Sequence, residues 1–167
     1  SSGLAPTQRN SYWYARWTGT AWETHEIAGA GTAVYQLEQH YTGGIVLDPA
    51  DPTRVVISTD VDPVTRQPLI SGADGWVHHQ LFEGTTADGG ATWTWTAITP
   101  NPTMDHLRPD VPEPSASRQA LVWMAGAYDS YVSYRTAMRA IVVGTGGPAP
   151  FCPAPAYEPG PNPLSGD

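Results

Sequence analysis

The sequence predicts an all-β chain built from short strands and many turns. Its 167 residues include 7 Trp, 8 Tyr, 17 Gly and 17 Pro. Aromatic residues favour strands, whereas frequent Gly and Pro interrupt helices and form turns. Apolar runs are short, and none approaches the length needed to span a membrane. Together these observations favour several short antiparallel strands over long helices.

Strands are predicted in three successive groups along the chain. The first group is a hairpin, with strands at 12–17 and 22–28 and a turn at 18–20, followed by a polar connection over 29–42. The second group has strands at 44–47, 54–59, 76–83 and 93–99, with a long loop at 60–75. The third group has strands at 105–111, 119–124 and 133–143, with a loop rich in Gly and Tyr after 124.

The most specific local pattern lies at residues 86–93. Asp88 is expected to accept hydrogen bonds from nearby backbone N–H groups, while Gly89 and Gly90 supply the positive φ of a tight turn. The pattern Ser/Thr-x-Asp-x-Gly-x-x-Trp resembles the Asp-box of the BNR repeat, which occurs in sialidase-like β-propellers. The matching residues are Thr86, Asp88, Gly90 and Trp93. The resemblance implies a structural turn and no chemistry, and an ordinary Asp-Gly-Gly hairpin is the alternative.

Internal repetition supports the same fold. Trp22 and Ile27 recur as Trp93 and Ile98 with the same offset along the chain. A long period with about four short strands per unit is typical of a β-propeller. We therefore expect a partial β-propeller of about two and a half four-stranded antiparallel blades. Its parts are an outer hairpin at 11–28, a full blade at 43–99 and a further blade at 105–143.

Propellers close with about four to eight blades, so this count predicts a C-terminal piece of a longer protein. The remaining blades of the parent chain would then be its partner, with self-assembly into a ring as the alternative. Residues 1–10 are interpreted as a linker or the end of a preceding blade. Residues 144–167 are interpreted as a disordered Pro-rich tail. Cys152 is the single cysteine, so no internal disulfide is expected.

Charge excludes two classes of partner. The chain has 8 basic and 16 acidic residues and a net charge of −8. Such a field repels nucleic acid and anionic membranes, so neither is expected as a partner. We expect an extracellular or periplasmic protein, although the sequence contains no signal peptide.

Ligands of a propeller meet one face, formed by the loops that lead into each inner strand and by the loops between second and third strands. The leading loops carry Glu38, His40 and Tyr41, and then Asp105, His106 and Arg108. The other loops carry Asp60, Asp62 and Arg66, and then Tyr128, Tyr131 and Tyr134. For each residue the alternative is an ordinary turn contact, a surface ion pair or packing between blades.

Metal binding has little support in the sequence. Asp60 and Asp62 form a weak candidate Ca²⁺ site, but their spacing is also normal for a turn. His78 and His79 are adjacent in a predicted strand and should point to opposite faces, which excludes them as one metal pair. No cofactor is expected.

A wider resemblance covers residues 11–143. The segments at 14–17, 41–44, 47–49, 58–63 and 88–93 resemble BNR-repeat proteins of bacterial polysaccharide utilisation, some of which are related to ulvan-type lyases. Those lyases use a His or Tyr as base, a Tyr as acid and an Arg to neutralise the uronate carboxylate. The resemblance implies catalytic roles for His40, Tyr41, Arg108 and Tyr131. Substrate-binding roles are expected for further residues of the predicted ligand face, which are Glu38, Asp105, His106, Arg66 and Tyr128.

Two functional hypotheses follow. The first is a secreted propeller that cleaves polysaccharide as a lyase or glycoside hydrolase. The second is a non-catalytic module that binds glycan or protein through its aromatic face. The Arg-Ile-Pro signature of sialidases is absent from the sequence, which disfavours sialidase activity. A structural role unrelated to sugars is a third option.

Overall fold

The computed structural model describes residues 10–35, 37–114 and 118–144. These residues form nine strands and no helix, which confirms the all-β prediction. The strands are β1 (Asn10–Trp17), β2 (Trp22–Gly31), β3 (Ile45–Asp48), β4 (Asp51–Thr59), β5 (Gln80–Thr85), β6 (Thr94–Ala97), β7 (His106–Asp110), β8 (Arg118–Ser130) and β9 (Ser133–Gly144). Asn10, expected in the linker over 1–10, begins β1, and Gly144, expected in the tail over 144–167, ends β9, because both residues pair with a neighbouring strand. The rest of both segments and Cys152 lie outside the described residues.

The strands form three antiparallel sheets that follow the order of the chain. Sheet 1 is the β1–β2 hairpin, sheet 2 is the β3–β4–β5–β6 meander and sheet 3 is β7–β8–β9. In sheet 2, Ile57 of β4 pairs with Ile45 of β3 on one side and with Phe82 of β5 on the other. The three groups of strands expected from the sequence therefore correspond to three sheets.

The central strands of sheet 2, β4 and β5, are buried on both faces, because sheets 1 and 3 pack against them. Every side chain of β4 from Arg54 to Thr59 is buried. Alternate strand residues point to opposite faces. Accordingly, Val55 and Ile57 pack with residues of sheet 1, whereas Val56 packs with residues of sheet 3. Burying each such aliphatic side chain contributes about 1.5–3 kcal/mol.

A buried ionic network joins sheets 2 and 3. The Nε atom of Arg54 lies 2.9 Å from Asp48 Oδ2 and 3.3 Å from Glu83 Oε1. Arg54 Nη2 also donates to Gln119 Oε1 of β8 at 2.7 Å. Gln119 Nε2 in turn donates to Asp48 Oδ1 at 2.7 Å. Because burial of charge is costly without partners, the network ties the position of β8 to that of β4.

The third strand of sheet 2 begins later than predicted, at Gln80 rather than at residue 76. Residues 71–76 form a turn, in which Ser71 N donates to Trp76 O at 2.8 Å and Gly75 has φ +78. His78 and His79 therefore precede β5, and the prediction that they lie in a strand was wrong. Their Nδ1 atoms each lie 3.7 Å from Asp105 Oδ1, so both rings approach one carboxylate.

The expected Gly- and Tyr-rich loop of the third group is a long hairpin instead. Strand β8 continues to Ser130, and the chain reverses at residues 131–132. Gly126 has φ +135, and a Cβ atom there would lie 2.1 Å from the carbonyl oxygen of Arg135. The missing side chain lets the two strands stay paired at this position. Tyr128 and Tyr134 then face each other across the hairpin.

Candidate functional site

Five tyrosine rings meet beside the β8–β9 hairpin tip and the loop that precedes β3. This tyrosine cluster consists of Tyr35, Tyr41, Tyr128, Tyr131 and Tyr134. The rings of Tyr128 and Tyr134 stack with centroids 6.3 Å apart, and Tyr41 meets Tyr131 edge to face at 5.6 Å. Tyr35 meets Tyr131 at 5.1 Å. The hairpin supplies three rings and the loop supplies two, so neither element forms the cluster alone.

Arg108 lies over the tyrosine cluster. Its Cζ atom is 4.0 Å from the centroid of the Tyr41 ring, which is a cation–π contact. Its φ of +55 is uncommon for a residue with a side chain, and its N–H donates to Gly43 O at 2.7 Å. Within the described parts of the chain, no carboxylate forms an ion pair with Arg108. The exposed guanidinium is therefore available to an anion.

The tyrosine hydroxyls have distinct partners. Tyr131 Oη donates to Glu38 Oε2 at 2.6 Å, and this hydrogen bond raises the pKa of Tyr131 to about 12. The hydroxyls of Tyr41 and Tyr128 lie 3.5 Å apart, and their hydrogen bond raises the pKa of Tyr128. A phenol with a raised pKa keeps its proton at neutral pH. Tyr128 and Tyr131 are therefore protonated at neutral pH and can act as hydrogen-bond donors.

Contacts of β4 and β7 bring Arg108 close to the loop that precedes β3. Ser58 Oγ of β4 donates to His106 O of β7 at 2.6 Å. Tyr12 Oη donates to Ser58 O at 2.8 Å and accepts from Gly44 N at 2.9 Å. Burial raises the pKa of Tyr12, so this hydroxyl remains a donor. Hydrogen bonds between the three sheets therefore set the position of β7 and of Arg108.

His40 lies in the loop that contributes Glu38 and Tyr41. Its side chain is exposed, and its carbonyl accepts from Thr42 N at 3.0 Å. The loop lines an open depression of about 480 Å³ formed by Leu37, Glu38, Gln39, His40 and Tyr41. His40 thus shares a surface with the tyrosine cluster.

Asp105 and His106 lie next to Arg108 in sequence but face away from the tyrosine cluster. Asp105 Oδ1 accepts from the backbone N–H of His79 at 2.9 Å. His106 is buried, and its Nδ1 accepts from Trp123 Nε1 at 2.7 Å. Burial lowers the pKa of His106 to about 4, so the ring is neutral at ordinary pH. Hydrogen bonds therefore hold both side chains to residues outside the tyrosine cluster.

Arg66 also lies elsewhere, in the long loop of sheet 2, where its side chain contacts sheet 1. It forms an ion pair with Glu26 of β2, and its Nη1 donates to Ser11 Oγ at 3.2 Å. The structure therefore places Arg66 on a different surface from the tyrosine cluster.

The two aspartates considered for Ca²⁺ are held by separate hydrogen bonds. The carboxylate of Asp60 accepts from the N–H and hydroxyl of Thr32. Asp62 Oδ1 accepts from the backbone N–H groups of Val64 and Thr65 at 3.0 and 2.7 Å, an Asx turn. Among residues 10–35, 37–114 and 118–144, no group of three His, Cys, Asp or Glu side chains has a metal-binding arrangement.

The turn at residues 86–93 has the conformation expected from its residue types. The Thr92 hydroxyl donates to Asp88 Oδ2 at 2.6 Å, and Asp88 Oδ1 accepts from Thr92 N and from Thr86 Oγ1, both at 2.9 Å. These bonds lower the pKa of Asp88. Gly89 and Gly90 have φ of +76 and +101. Trp93 Nε1 donates to Gly90 O at 2.9 Å, so the indole lies back across the turn.

Sequence reasoning named Glu38, Tyr41, Arg108, Tyr128 and Tyr131, which the structure brings together. It did not name Tyr35 as a site residue, and it mentioned Tyr134 only as a loop residue. Tyr35 precedes Tyr41 by six positions in one loop, and two tyrosines in a loop were the available signal. No sequence pattern could identify Gly43 as a site residue, because it contacts Arg108 only through a backbone hydrogen bond from Arg108 N to Gly43 O.

The described residues include no helix long and apolar enough to cross a membrane. Comparison of the chain with protein-family models, with curated proteins and with solved structures gives no match.

Proposed function

We propose that this chain is part of a secreted BNR-repeat β-propeller, and that it binds an acidic polysaccharide at the tyrosine cluster. The order of the sheets supports the propeller. Three antiparallel sheets follow one another along the chain and pack face to face, and both faces of the central strands of sheet 2 are covered by its neighbours. Such repetition of sheets is the packing principle of a propeller.

The inner edges of the sheets also support this proposal. Strands β3 and β7 are the first strands of sheets 2 and 3, and they approach each other where Arg108 N donates to Gly43 O. The tyrosine cluster is built from the loop before β3 and from the β8–β9 tip, and Arg108 of β7 lies over it. In a propeller these elements surround the mouth of the central axis, where ligands bind. The remaining blades of the parent chain would complete the ring.

The environment of Arg108 is the main support for an acidic polysaccharide as the ligand. In a chain with net charge −8, one exposed guanidinium lies on a tyrosine ring and has no carboxylate partner within the described residues. A guanidinium pairs with a carboxylate through two parallel hydrogen bonds. Tyrosine rings add flat apolar surfaces with hydroxyl donors at their edges. Together these groups match the alternating apolar faces and acidic groups of a uronate polysaccharide.

Cleavage of the bound polysaccharide is a second candidate, favoured by the pair formed by Glu38 and Tyr131. Elimination requires a base for the proton beside the uronate carboxylate and an acid for the leaving oxygen. The Glu38 carboxylate can take one proton while the Tyr131 hydroxyl gives one. The phenolate then recovers its proton from Glu38, so both groups return to their starting state. Arg108 would stabilise the charge that develops on the carboxylate.

Binding is tested by titrating the protein with polygalacturonate, alginate and a neutral glucan while heat is recorded. We expect saturable binding of an acidic polymer, and a loss of at least about tenfold in affinity for Arg108→Asn. Asn tolerates positive φ, so this substitution removes the charge without adding backbone strain. Arg16→Asn is the matched control, since Arg16 is exposed and pairs with Glu23 on sheet 1. Equal affinity of the Arg108→Asn variant and the wild type would contradict the proposal.

Cleavage is tested on the full-length protein with the same acidic polymers. Elimination produces unsaturated ends that absorb in the ultraviolet, whereas hydrolysis produces only new reducing ends. Activity lost in both Glu38→Gln and Tyr131→Phe, with binding retained, would support cleavage. Binding without either product would leave the protein as a non-catalytic glycan-binding module.

A further inference from the structure

A second, separate groove lies between sheets 1 and 2, near the turn at 86–93. It has a volume of about 360 Å³ and lies within the usual size range of small-ligand sites. We define this outer groove by its lining residues, which are Glu26, Ile27, Ala28, Pro63, Val64, Arg66, Ala91, Trp93 and Trp95. None of these residues belongs to the tyrosine cluster.

Two indole rings form the aromatic wall of the outer groove, and both are held in place. The rings of Trp93 and Trp95 stack with centroids 5.9 Å apart. Trp93 is anchored by its hydrogen bond to Gly90 O. Trp95 packs on Gly84, where a Cβ atom would lie 2.4 Å from the indole. The rings need little reordering when a ligand binds, which lowers the entropic cost of association.

The opposite wall is equally well ordered. Pro63 O accepts from Gly29 N of β2 at 2.9 Å, which fastens the long loop of sheet 2 to sheet 1. A Cβ atom at Gly29 would approach Val61 and Arg66 to 3.1 and 3.2 Å, so glycine permits this close contact. The groove therefore results from specific contacts between a loop and a strand.

The charges of the outer groove cancel each other. Arg66 and Glu26 form an ion pair at its rim, in contrast to Arg108, which has no described carboxylate partner. An anionic ligand would be repelled by Glu26, and a cationic one by Arg66. A neutral ligand can accept hydrogen bonds from the Arg66 guanidinium and donate hydrogen bonds to the Glu26 carboxylate. Its apolar part would lie on the indole rings.

We propose that the outer groove binds a neutral sugar residue. A pyranose ring combines an apolar face of C–H groups with a rim of hydroxyls, and it matches a stacked indole wall beside a balanced pair of donor and acceptor groups. The proposal is independent of the tyrosine cluster, and the two sites differ in the charge of the sugar that each accepts.

The test uses xylotetraose, cellotetraose and mannotetraose as probes, and it follows the indole N–H resonances of the whole chain by NMR. We expect at least one probe to shift two indole resonances in a saturable manner. Ala91→Arg fills the groove from an exposed position and should weaken binding by at least about tenfold. Ala50→Arg is the matched control, because Ala50 is an exposed alanine outside the groove. Val64→Arg, at a loop residue that is 70% exposed, is the second blocking variant if Ala91→Arg does not fold.

Arg108→Asn separates this proposal from the proposed function. The outer groove should bind the neutral probe equally well in that variant, whatever happens to acidic polysaccharide. The proposal is overturned if no neutral probe binds, or if a folded blocking variant retains wild-type affinity. It is also overturned if Arg108→Asn abolishes binding of the neutral probe, since the sugar would then lie on the tyrosine cluster.

Discussion

The guanidinium of Arg108 lies 4.0 Å from the centre of the Tyr41 ring, although the two residues are far apart in sequence. Tyr41 belongs to the loop before sheet 2, and Arg108 belongs to the first strand of sheet 3. Their contact therefore depends on how the two sheets pack. Arg108 is exposed at this position, so a ligand in solvent can reach its guanidinium.

The ring of Tyr41 should matter more than its hydroxyl. Tyr41→Phe keeps the surface on which Arg108 rests, so we expect affinity for acidic polysaccharide to fall by less than about threefold. Tyr41→Leu removes the cation–π contact and frees the guanidinium, and we expect a loss of about tenfold. Calorimetric titration of both variants measures the difference. Equal losses would show that the hydroxyl, and not the ring, supports binding.

Acid should destabilise the fold through His106. Its pKa is about 4 in the folded protein and about 6.5 when unfolded, because burial disfavours the charged ring. The neutral ring therefore stabilises the fold above pH 6.5, and this contribution is lost as the pH falls toward 4. We expect the free energy of unfolding to fall by up to about 3 kcal/mol over this range, measured by urea denaturation.

His106→Asn is the matched variant for this pH dependence. The Asn Oδ1 atom can accept the hydrogen bond of Trp123 Nε1, and the side chain does not titrate. The lowered pKa values of Asp62, Asp74, Asp88 and Asp105 act only below about pH 4. The pKa of His79 is raised in the folded protein, so its contribution to stability is fully present below pH 6.5. His79 therefore does not produce a loss of stability as the pH falls from 6.5 to 4. An unchanged slope in His106→Asn would assign the effect to another group.

Removal of Arg54 should be costly, because it leaves Asp48 and Glu83 buried together. We expect Arg54→Met to lower the free energy of unfolding by about 3–5 kcal/mol. Arg16→Met removes a half-exposed pair with Glu23, and its effect should stay below about 1 kcal/mol. Chemical denaturation of both variants provides the comparison. Similar small losses would mean that the Arg54 network contributes little to stability.

Glycine should be required at position 126. An alanine there combines a positive φ with a Cβ atom 2.1 Å from the carbonyl of Arg135. We expect Gly126→Ala to destabilise the fold by about 2 kcal/mol or more and to displace the hairpin tip. Gly19 also has positive φ, but a Cβ atom there meets nothing within 4 Å. Gly19→Ala should therefore cost only about 1 kcal/mol in thermal denaturation, and equal losses would exclude the steric explanation.

Local interactions explain which features were predictable from the sequence. The turn at 86–93 depends on Asp88, two glycines and Trp93, all within eight residues, so its hydrogen bonds are encoded by neighbours. The hairpin of sheet 1 was likewise expected near its observed bounds. In contrast, His78 and His79 were misplaced because the turn at 71–76 delays β5. The Gly- and Tyr-rich segment was misplaced because cross-strand pairing overrode its turn-like composition.

The sequence by itself determined the all-β class, the three groups of strands and the conformation of the Asp88 turn, because these depend on side chains close together in the chain. Only the tertiary structure decided which polar candidates share a surface. Packing of sheet 3 on sheet 2 placed Arg108 over Tyr41, while it buried His106 against Trp123. The physical reason lies in β7, because a regular strand would send His106 and Arg108, two residues apart, to the same face. The positive φ of Arg108 and the break in register between Leu107 and Asp110 interrupt this alternation, so His106 is buried while Arg108 is exposed. Only the packing of sheet 3 on sheet 2 then determines that Arg108 meets Tyr41.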